Sequence, residues 1–444
     1  MSAVEGFATP NATKAYADRC WKDNPNLSPD GWRLFDGLTI GKVGFGTYRV
    51  SGLEDEVASL EKALTGGVNL IDMAPNYTDG YAEQTVGEVL QKLFEENKIA
   101  REEVVLVGKA GYLQGADMDT LSQNPPPETA ILGDDLWYCI HPHFLDRQIT
   151  QTCARLEVKQ LDALLLHNPE YLFHAPWMEN LSPEEVQEKF YGHIEQAFEY
   201  LEQACKDGRI ARYGVSSNTL TENRDADGFV DLARLAEAAD AAAQKVHGRK
   251  KRSLFRVVQL PLNLLELGAL KNNNTKAKTF EGDEDVPVLE LATRRRMAVM
   301  TNRPLNAFSV DGQAFRLADD EHAKASLAVP LAKLVSVEEE LERLLGGWPQ
   351  IGEEPVLAIG EEGEELAKQV EHSLHADQVI STFFEPHAVQ FVQVLGSLVA
   401  EGYTDEATAG RLHDAYVEAF LEFCAAIRAQ AKKKDVERIK PIRE

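Results

Sequence analysis

The chain has 444 residues, of which 44% are hydrophobic and 27% charged, a composition typical of globular proteins and outside the range of disordered chains. Its 72 acidic and 46 basic residues give a formal net charge of −26, which disfavours binding to nucleic acid or anionic lipid. The five cysteines are scattered without CxxC pairs, so neither a disulfide framework nor a zinc site is expected. Residues 1–20 do not read as a secretory signal, and no segment is apolar for long enough to span a bilayer. We therefore expect a cytoplasmic protein with no membrane partner.

Short apolar segments recur along the chain, with helix-period stretches between them. Several are apolar at consecutive positions, as expected for strands that are covered on both faces of a parallel sheet. Eight strands are predicted, at residues 42–48, 68–73, 104–109, 161–167, 211–217, 255–260, 297–302 and 377–382. Six helices are predicted between them, at residues 53–65, 81–97, 145–157, 194–207, 228–245 and 286–295. This alternation predicts an α/β fold, the (β/α)8 TIM barrel.

Three connections are too long for a minimal barrel. These insertions comprise residues 111–144, 169–193 and 305–376. Loops on the C-terminal side of the barrel strands usually build the substrate pocket. Two additional C-terminal helices are predicted after residue 387. We expect one elaborated domain, made of an N-terminal extension (1–35), a barrel with insertions (36–386) and C-terminal helices packing on the barrel (387–444).

Four polar residues lie at or just after the C-terminal ends of neighbouring predicted strands. Asp72, Lys109 and His167 end the second, third and fourth strands, and Tyr77 lies in the loop after the second. Because these ends converge on one face of a parallel barrel, we expect the four side chains to meet in one pocket. Each residue alone has an ordinary structural explanation. Their joint arrangement is what favours a functional site.

The four residue types fit proton transfer. A tyrosine is a weak proton donor near neutral pH because its usual pKa is about 10, and a neighbouring cation lowers that pKa. Lys109 can supply the positive charge, and Asp72 can hold the ammonium group in place. His167 can donate a hydrogen bond to a substrate carbonyl oxygen and set its angle.

Six segments together resemble the aldo-keto reductase superfamily, in order and spacing. They are GFGTYRV (44–50), NLIDMAPNYTDGYAEQTVGEVL (69–90), VVLVGKAG (104–111), LDALLLHNPE (161–170), KDGRIARYGVSSNT (206–219) and VVQLPLNLLE (257–266). The resemblance covers residues 36–305 and, weakly, the eighth predicted strand. It implies an NAD(P)-dependent oxidoreductase that transfers hydride between nicotinamide and the carbonyl of an aldehyde, ketone or sugar. Tyr77 would be the general acid and base, Lys109 and Asp72 its modulators, and His167 the orienting residue.

The resemblance also implies a set of cofactor contacts. Ser217, Asn218 and Gln259 would bind the nicotinamide carboxamide. The other implied contacts are Gly46, Thr47, Asn302, Arg303, Pro304 and Leu305. Asn302 stands where the family commonly has an aromatic residue that stacks on the nicotinamide. Arg303 would either approach a cofactor phosphate or be an ordinary charged loop residue.

The eighth predicted unit departs from the family pattern. NADP-dependent relatives carry a lysine and an arginine around the adenosine 2′-phosphate in this unit. Here Thr382 takes the lysine position, no arginine follows, and His387 is a weak substitute. The family implies NADP(H), and the missing cations leave NAD(H) as an alternative cofactor.

Two other functions stay open on these residues. The altered cofactor positions and long insertions also suit a noncatalytic nicotinamide-nucleotide-sensing or regulatory protein on the same barrel, although the intact four-residue set argues against it. A metal-assisted hydrolase or isomerase would use His141, His143 and His167, but the HPH spacing lacks a nearby third ligand, so no metal site is expected. GKVGFG (41–46) is not a dinucleotide-binding loop, because its glycines are wrongly spaced and no helix follows directly.

Overall fold

The computed structural model describes residues 3–24, 26–248, 252–308, 314–316, 327–347, 350–351, 354–355 and 359–443. The chain forms two compact units. The first comprises Met1–Pro261 and Leu267–Asn302, and the second comprises Leu262–Glu266 and Arg303–Glu444. Within the described residues, no helix has the length and apolar character needed to cross a bilayer.

The first unit is built on a seven-stranded parallel sheet. Its strands are β1 (Phe45–Gly46), β2 (Leu70–Asp72), β3 (Val105–Ala110), β4 (Ala163–His167), β5 (Tyr213–Ser216), β6 (Phe255–Pro261) and β7 (Ala298–Asn302). Each strand pairs in parallel with the next one along the chain. All residues of β3 and β4 are buried, which explains why these strands read as continuous apolar runs. The barrel-type α/β fold and seven of the eight predicted strands are confirmed.

Helices cover the connections of this sheet. They are α1 (Pro10–Asp23), α2 (Glu54–Thr65), α3 (Tyr81–Glu95), α4 (Gly115–Leu121), α5 (Pro142–Arg155), α6 (Pro183–Lys206), α7 (Leu232–His247), α8 (Gly268–Lys271) and α9 (Val288–Arg294). In α3 the buried Val86, Val89, Leu90 and Leu93 repeat at helical spacing, so one face of the helix joins the core. The predicted helices exist, with boundaries that differ by several residues.

An antiparallel hairpin of Trp32–Phe35 and Leu38–Gly41 precedes β1 and was not predicted. Its Phe35 and Leu38 side chains are buried in one cluster with Val105 of β3 and Leu165 of β4. The hairpin thereby adds apolar side chains to the core of the sheet. A second hairpin, Thr275–Thr279 with Gly282–Val286, lies between β6 and β7.

Two insertions of the first unit contain regular structure. In 111–144, the strands Tyr112–Leu113, Ala130–Ile131 and Trp137–Tyr138 form a small antiparallel sheet, and α4 lies between the first two. In 169–193, α6 begins at Pro183, although the sequence reading placed that start at residue 194. The cause is a capping box, in which the Ser182 hydroxyl accepts the Glu185 N–H (3.3 Å) and the Glu185 carboxylate accepts the Ser182 N–H (2.8 Å).

The second unit is mainly helical. Its helices are α10 (Ala328–Leu345), α11 (Gly360–Gln369), α12 (Ser373–Val379), a π-helical stretch (Ile380–Phe384), α13 (Glu385–Ala400) and α14 (Glu406–Arg443). Two short hairpins, Asn306–Phe308 with Ala314–Arg316 and Gln350–Ile351 with Glu354–Pro355, complete it. Its buried side chains form one apolar core, which includes Leu334, Leu341, Ile380, Phe384, Phe391, Tyr416, Phe423 and Ile427. The additional C-terminal helices are therefore confirmed.

The eighth strand, predicted at 377–382, is wrong, because this segment is helical. Ala376, Ile380 and Phe384 are all buried and lie four residues apart, which matches a helix face. The Thr382 hydroxyl donates to the Gln378 carbonyl (2.7 Å), so this residue does not end a strand. The comparison of Thr382 with a phosphate-binding lysine consequently loses its structural basis.

His387, the suggested substitute, also lies within this helical stretch, where its Nδ1 is 2.7 Å from the Phe383 carbonyl. The expected domain division at residue 386 falls inside the same stretch, whereas the chain passes between the two compact units after residues 261, 266 and 302. Packing of the C-terminal helices on the barrel stays a prediction.

Candidate active site

Lys109 is the centre of the candidate site. It is fully buried near the end of β3, and its Nζ donates to the Asp72 carboxylate (2.7 Å) and to the Tyr77 hydroxyl (2.9 Å). The same Nζ lies 4.8 Å from the centre of the Tyr77 ring. The structure thus brings together three of the four predicted residues, because β2 and β3 are parallel neighbours.

Asp72 is held by residues from other strands. One carboxylate oxygen accepts from Lys109, and the other accepts from the Gln259 amide of β6 (3.1 Å). The Ser216 hydroxyl of β5 donates in turn to the Gln259 side-chain oxygen (2.7 Å). Thr47, after β1, donates its N–H (3.0 Å) and its hydroxyl (3.1 Å) to the Asp72 carbonyl. A polar network therefore joins the ends of β1, β2, β3, β5 and β6.

Burial and charge oppose each other in this network. Burial alone would lower the pKa of Lys109, but the charge of Asp72 and that of a Tyr77 phenolate, with both hydrogen bonds, raise it above its usual value. Burial raises the pKa of Tyr77, and the nearby Lys109 charge lowers it by a smaller amount. The expected effect of Lys109 on Tyr77 is therefore present in direction but outweighed by burial. At neutral pH the lysine is charged and the phenol holds its proton.

His167, the fourth predicted residue, ends β4 beside the other three. Its ring centre lies 5.8 Å from that of Tyr77 and 4.8 Å from that of Tyr112, in edge-on arrangements. Burial, followed by the Lys109 charge, places the pKa of His167 well below its usual value. His167 is consequently a neutral imidazole at neutral pH.

Two tyrosines next to the site were not singled out from the sequence. Tyr48 is largely exposed and packs edge-on against Tyr77, with ring centres 5.2 Å apart. The Tyr112 hydroxyl accepts a hydrogen bond from the Asn168 amide (2.7 Å). The sequence offered only their positions as an indication, since each is an aromatic residue close to a predicted strand end.

The turn after Tyr77 has an unusual backbone. Thr78, Asp79 and Gly80 have φ values of 47°, 53° and 87°, a region that non-glycine residues rarely adopt. The Thr78 hydroxyl donates to the Val50 carbonyl (2.6 Å). The Asp79 carboxylate accepts the N–H of Ala116, at the start of α4 (3.1 Å). The loop that carries Tyr77 is therefore joined to the 111–144 insertion.

The implied nicotinamide contacts lie near the ends of β5 and β6. The hydroxyls of Ser217 and Thr219 are 3.2 Å apart, and the Asn218 amide is 3.4 Å from the Asn168 side-chain oxygen. A carboxamide needs one hydrogen-bond donor and one acceptor, and this hydroxyl and amide can supply both. Gln259 differs from them, because both ends of its amide already bond to Asp72 and Ser216.

The remaining implied contacts fall at two places. Gly46 in β1 is the register partner of Asp72, next to Thr47. Asn302 is the last residue of β7, whereas Arg303, Pro304 and Leu305 belong to the second unit. The Arg303 guanidinium donates to the Glu266 carboxylate (2.6 Å).

A pocket of about 120 Å³ lies between the loop that carries Tyr77, the 111–144 insertion and α5. Asn76 and Tyr112 contribute to its wall, as do Gln151 and Arg155. The atoms Asn76 Oδ1, Gln151 Oε1 and Arg155 Nη2 are buried and have no hydrogen-bond partner among the described residues. The pocket therefore offers both donors and acceptors to a small polar ligand.

The histidines considered for a metal site have structural contacts. The His141 Nδ1 accepts the N–H of His143 (3.3 Å) at the start of α5. The part of the chain that the structure describes contains no group of three or more His, Cys, Asp or Glu placed to hold a metal ion.

Three curated relatives match parts of the chain. The NADH-specific methylglyoxal reductase of Escherichia coli (strain K12) is 26% identical over 140 residues, which cover 29% of this chain and 39% of the relative. Aldose reductase C of Dictyostelium discoideum is 29% identical over 89 residues, or 20% and 27% of the two chains. The NADPH-dependent D-xylose reductase of Meyerozyma guilliermondii is 25% identical over 196 residues, or 41% and 51%. The chain thus spans about half or less of the length of these relatives.

Solved structures of aldo-keto reductases also align with the chain. One from Klebsiella pneumoniae, in complex with NADP and acetate, is 20% identical with a TM-score of 0.36, covering 62% of this chain and 67% of that chain. The holo form of AKR11C1 from Bacillus halodurans is 16% identical with a TM-score of 0.39, covering 73% and 78%.

A family model covers the whole sheet except the end of β7. The model that describes the aldo/keto reductase family matches residues 38–300, which is more than half of the chain. These residues include the segments that carry the Asp72, Tyr77, Lys109 and His167 cluster. The chain belongs to the aldo/keto reductase family.

Proposed function

We propose that this chain is an NAD(P)-dependent oxidoreductase that transfers hydride between nicotinamide and a carbonyl group, with Tyr77 as general acid and base. The observation that carries the proposal is the buried Lys109, which contacts both the Tyr77 hydroxyl (2.9 Å) and the Asp72 carboxylate (2.7 Å). An ammonium group beside a phenol stabilises the phenolate that forms when the proton leaves. This arrangement suits proton transfer better than a purely structural role.

Each of the four residues then has a distinct task. In carbonyl reduction, Tyr77 donates its proton to the carbonyl oxygen, and Lys109 stabilises the resulting phenolate. Asp72 keeps Lys109 charged and fixed in direction. His167, neutral because of burial and the Lys109 charge, donates a ring N–H to the same oxygen and orients the carbonyl.

Nicotinamide supplies the hydride when it is bound. Ser217 and Asn218 would bind its carboxamide, and Gln259 would assist while holding Asp72. Gly46 and Thr47, with Asn302, Arg303, Pro304 and Leu305, are the other proposed contacts. We propose NADP(H) as the cofactor and NAD(H) as the alternative, since the relatives include one NADPH-dependent and one NADH-specific enzyme.

The pocket next to the Tyr77 loop supports a small hydroxylated substrate, such as a sugar or another hydroxy-carbonyl compound. Hydroxyl groups both donate and accept hydrogen bonds, which matches the unpaired donor on Arg155 and acceptors on Asn76 and Gln151. Two relatives are named as reductases of methylglyoxal and D-xylose, both small oxygen-rich carbonyl compounds.

Two measurements test the proposal. Fluorescence titration with NADPH and NADH measures cofactor binding, and an aldehyde and sugar panel then measures turnover. We expect Tyr77→Phe to lower kcat by about 10³-fold while leaving the cofactor Kd nearly unchanged, since only the proton donor is removed. Tyr81→Phe is the matched control, because Tyr81 is an exposed tyrosine four residues further along the chain. Full activity of Tyr77→Phe would contradict the assigned proton donor.

The same assays separate the noncatalytic alternative. A nucleotide-sensing protein would bind NADPH or NADH without reducing any carbonyl in the panel. Saturation by neither nucleotide would contradict both proposals.

A further inference from the structure

A buried carboxylate lies beside the proposed nicotinamide contacts, outside the four-residue cluster. Glu170 follows β4 by three residues, at the start of a 3₁₀ segment (Pro169–His174), and is only 8% exposed. Its Oε1 accepts the N–H of Asn218 (3.0 Å). Its Oε2 is buried with no hydrogen-bond partner among the described residues. A buried carboxylate with one oxygen unpaired is costly, so its presence calls for a reason beyond packing.

The loops after β4 and β5 are tied together at this point. The Asn168 N–H donates to the Ser216 carbonyl (2.7 Å), and the Asn218 amide lies 3.4 Å from the Asn168 side-chain oxygen. The Thr219 hydroxyl donates to the Gly228 carbonyl (2.7 Å), and a Cβ on Gly228 would lie 3.7 Å from the Glu170 Cβ. Glu170 is the ionisable group within this set of contacts, and it bonds the backbone of the residue proposed to bind the carboxamide.

We propose that Glu170 is a positioning residue that fixes the Ser217–Asn218 loop for the nicotinamide carboxamide through a charge-assisted bond to the Asn218 N–H. This inference rests on the proposed function. It extends that function by adding a group that does not touch substrate or nicotinamide. Its effect on catalysis passes through cofactor binding.

The charge of Glu170 also makes this contact depend on pH. Burial raises the pKa of Glu170 to about 7, and the neighbouring polar groups of the Ser217–Asn218 loop, which include the Asn218 N–H that Oε1 accepts, lower it by less. The carboxylate is therefore mostly protonated at pH 6 and mostly ionised at pH 8. Hydrogen bonds to an ionised acceptor are stronger than those to a neutral one, so the Ser217–Asn218 loop is held more firmly at pH 8.

The two phenols that face Glu170 keep their protons in this range. The phenols of Tyr112 and Tyr138 face Glu170 from the insertion strands, and burial raises the pKa of both. His174 and Asp227 are exposed, and the His174 Nε2 lies 3.8 Å from a Cβ built on Gly228. The Glu170→Gln variant keeps His174 and Asp227, so a pH dependence that this variant loses is assigned to Glu170.

The test is cofactor binding as a function of pH. For the wild-type protein, we expect the Kd of NADPH or NADH, measured by fluorescence titration, to decrease about tenfold as the pH rises from 5.5 to 8.5. Glu170→Gln keeps the acceptor oxygen but removes the charge, so its Kd should be pH-independent and about tenfold weaker than wild type at pH 8.5. Glu170→Leu should bind weakly at every pH. In both variants, kcat at saturating cofactor should change little.

Stability separates a positioning role from a structural one. Glu170 binds a proton more tightly in the folded chain than in the unfolded chain, so its contribution to stability is present at low pH and is lost as the pH rises through about 7. Glu170→Gln should therefore have a Tm a few degrees higher than wild type at pH 8.5 while binding cofactor more weakly. A residue with only a structural role would not weaken binding in a variant that is more stable.

Glu222→Gln is the matched control, because Glu222 follows the same turn and is exposed. It should bind cofactor as the wild type does at each pH. If the wild type binds cofactor and Glu170→Gln shows the same Kd and the same pH dependence, this inference is overturned and the proposed function is unaffected. If the wild type binds neither nucleotide, both are overturned.

Discussion

The proposed proton-donor side of the site (Asp72, Tyr77 and Lys109) and the proposed cofactor side (Ser217 and Asn218) are built differently. Lys109 has both of its partners within hydrogen-bond distance, and Asp72 uses both carboxylate oxygens, so this side is complete without any ligand. Ser217 and Asn218 make longer side-chain contacts, of 3.2 and 3.4 Å, which a carboxamide can replace. The difference indicates that the groups proposed for proton transfer are preorganised, whereas we expect the groups proposed for cofactor binding to exchange protein contacts for ligand contacts.

A substitution of Lys109, on the preorganised side, should have the largest effect on kcat and on stability. Lys109→Met removes the charge beside Tyr77 and leaves Asp72 with only its Gln259 bond. We expect kcat to fall by about 10⁴-fold and the free energy of unfolding to fall by about 3 kcal/mol. Steady-state kinetics and urea denaturation measure the two effects.

A lysine that forms a surface ion pair provides the control. Lys92 pairs with Glu61 and its side chain is 51% exposed, so Lys92→Met should lower the free energy of unfolding much less than Lys109→Met does. Equal losses of stability in the two variants would show that burial of Lys109 has no special energetic role.

Gln259 belongs to both sides, and its replacement sharpens the comparison. Gln259→Leu removes the bond to Asp72 and leaves the Ser216 hydroxyl without its acceptor. We expect kcat/KM for the carbonyl substrate to fall about tenfold, with most of the change in kcat, because Asp72 is positioned less firmly.

Ser216→Ala tests the same bond from its other end. This variant leaves the contact between Gln259 and Asp72 in place, so we expect a reduction of only about twofold to threefold in kcat/KM. A change confined to the cofactor Kd in Gln259→Leu would instead assign this residue to the cofactor side.

The smallest expected effect is on substrate choice. Gln151→Leu removes a buried acceptor from the pocket next to the Tyr77 loop. We expect KM for hydroxylated aldehydes and sugars to rise about threefold to tenfold, and KM for an aldehyde without hydroxyl groups to stay unchanged. Gln244→Leu, an exposed glutamine on α7, is the control. If Gln151→Leu changed KM by the same factor for both substrate types, this pocket would be excluded from substrate binding.

Strands such as β3 and β4 were predictable because a buried parallel strand carries a continuous apolar run. The strand ends then gave Asp72, Lys109 and His167, since parallel topology places those ends together. The prediction of a strand around Ile380 failed because a short apolar run does not distinguish a strand from one face of a helix. Its flanking Ala376 and Phe384, each four residues away, were the available signal for a helix.

Two residues near the site were missed in the sequence for a different reason. Glu170 is an ordinary acid in the sequence, and its importance comes from burial and from the Asn218 N–H that it meets across two loops. Tyr112 meets His167 only because the 111–144 insertion folds back over the end of β4. Contacts of this kind depend on loop conformation, which local residue patterns do not specify.

The bond between Asp79 and the start of α4 has a consequence for any attempt to change the substrate range. Gly115 has a φ of +52°, and a Cβ there would lie 1.9 Å from the Asp79 carboxylate, so even an alanine would push that carboxylate away. Grafting a foreign segment in place of 111–144 would thus loosen Tyr77, the proposed proton donor, which lies two residues before Asp79. Redesign of the insertion should retain Gly115 and the bond from the Ala116 N–H to the Asp79 carboxylate, and vary the residues beyond α4.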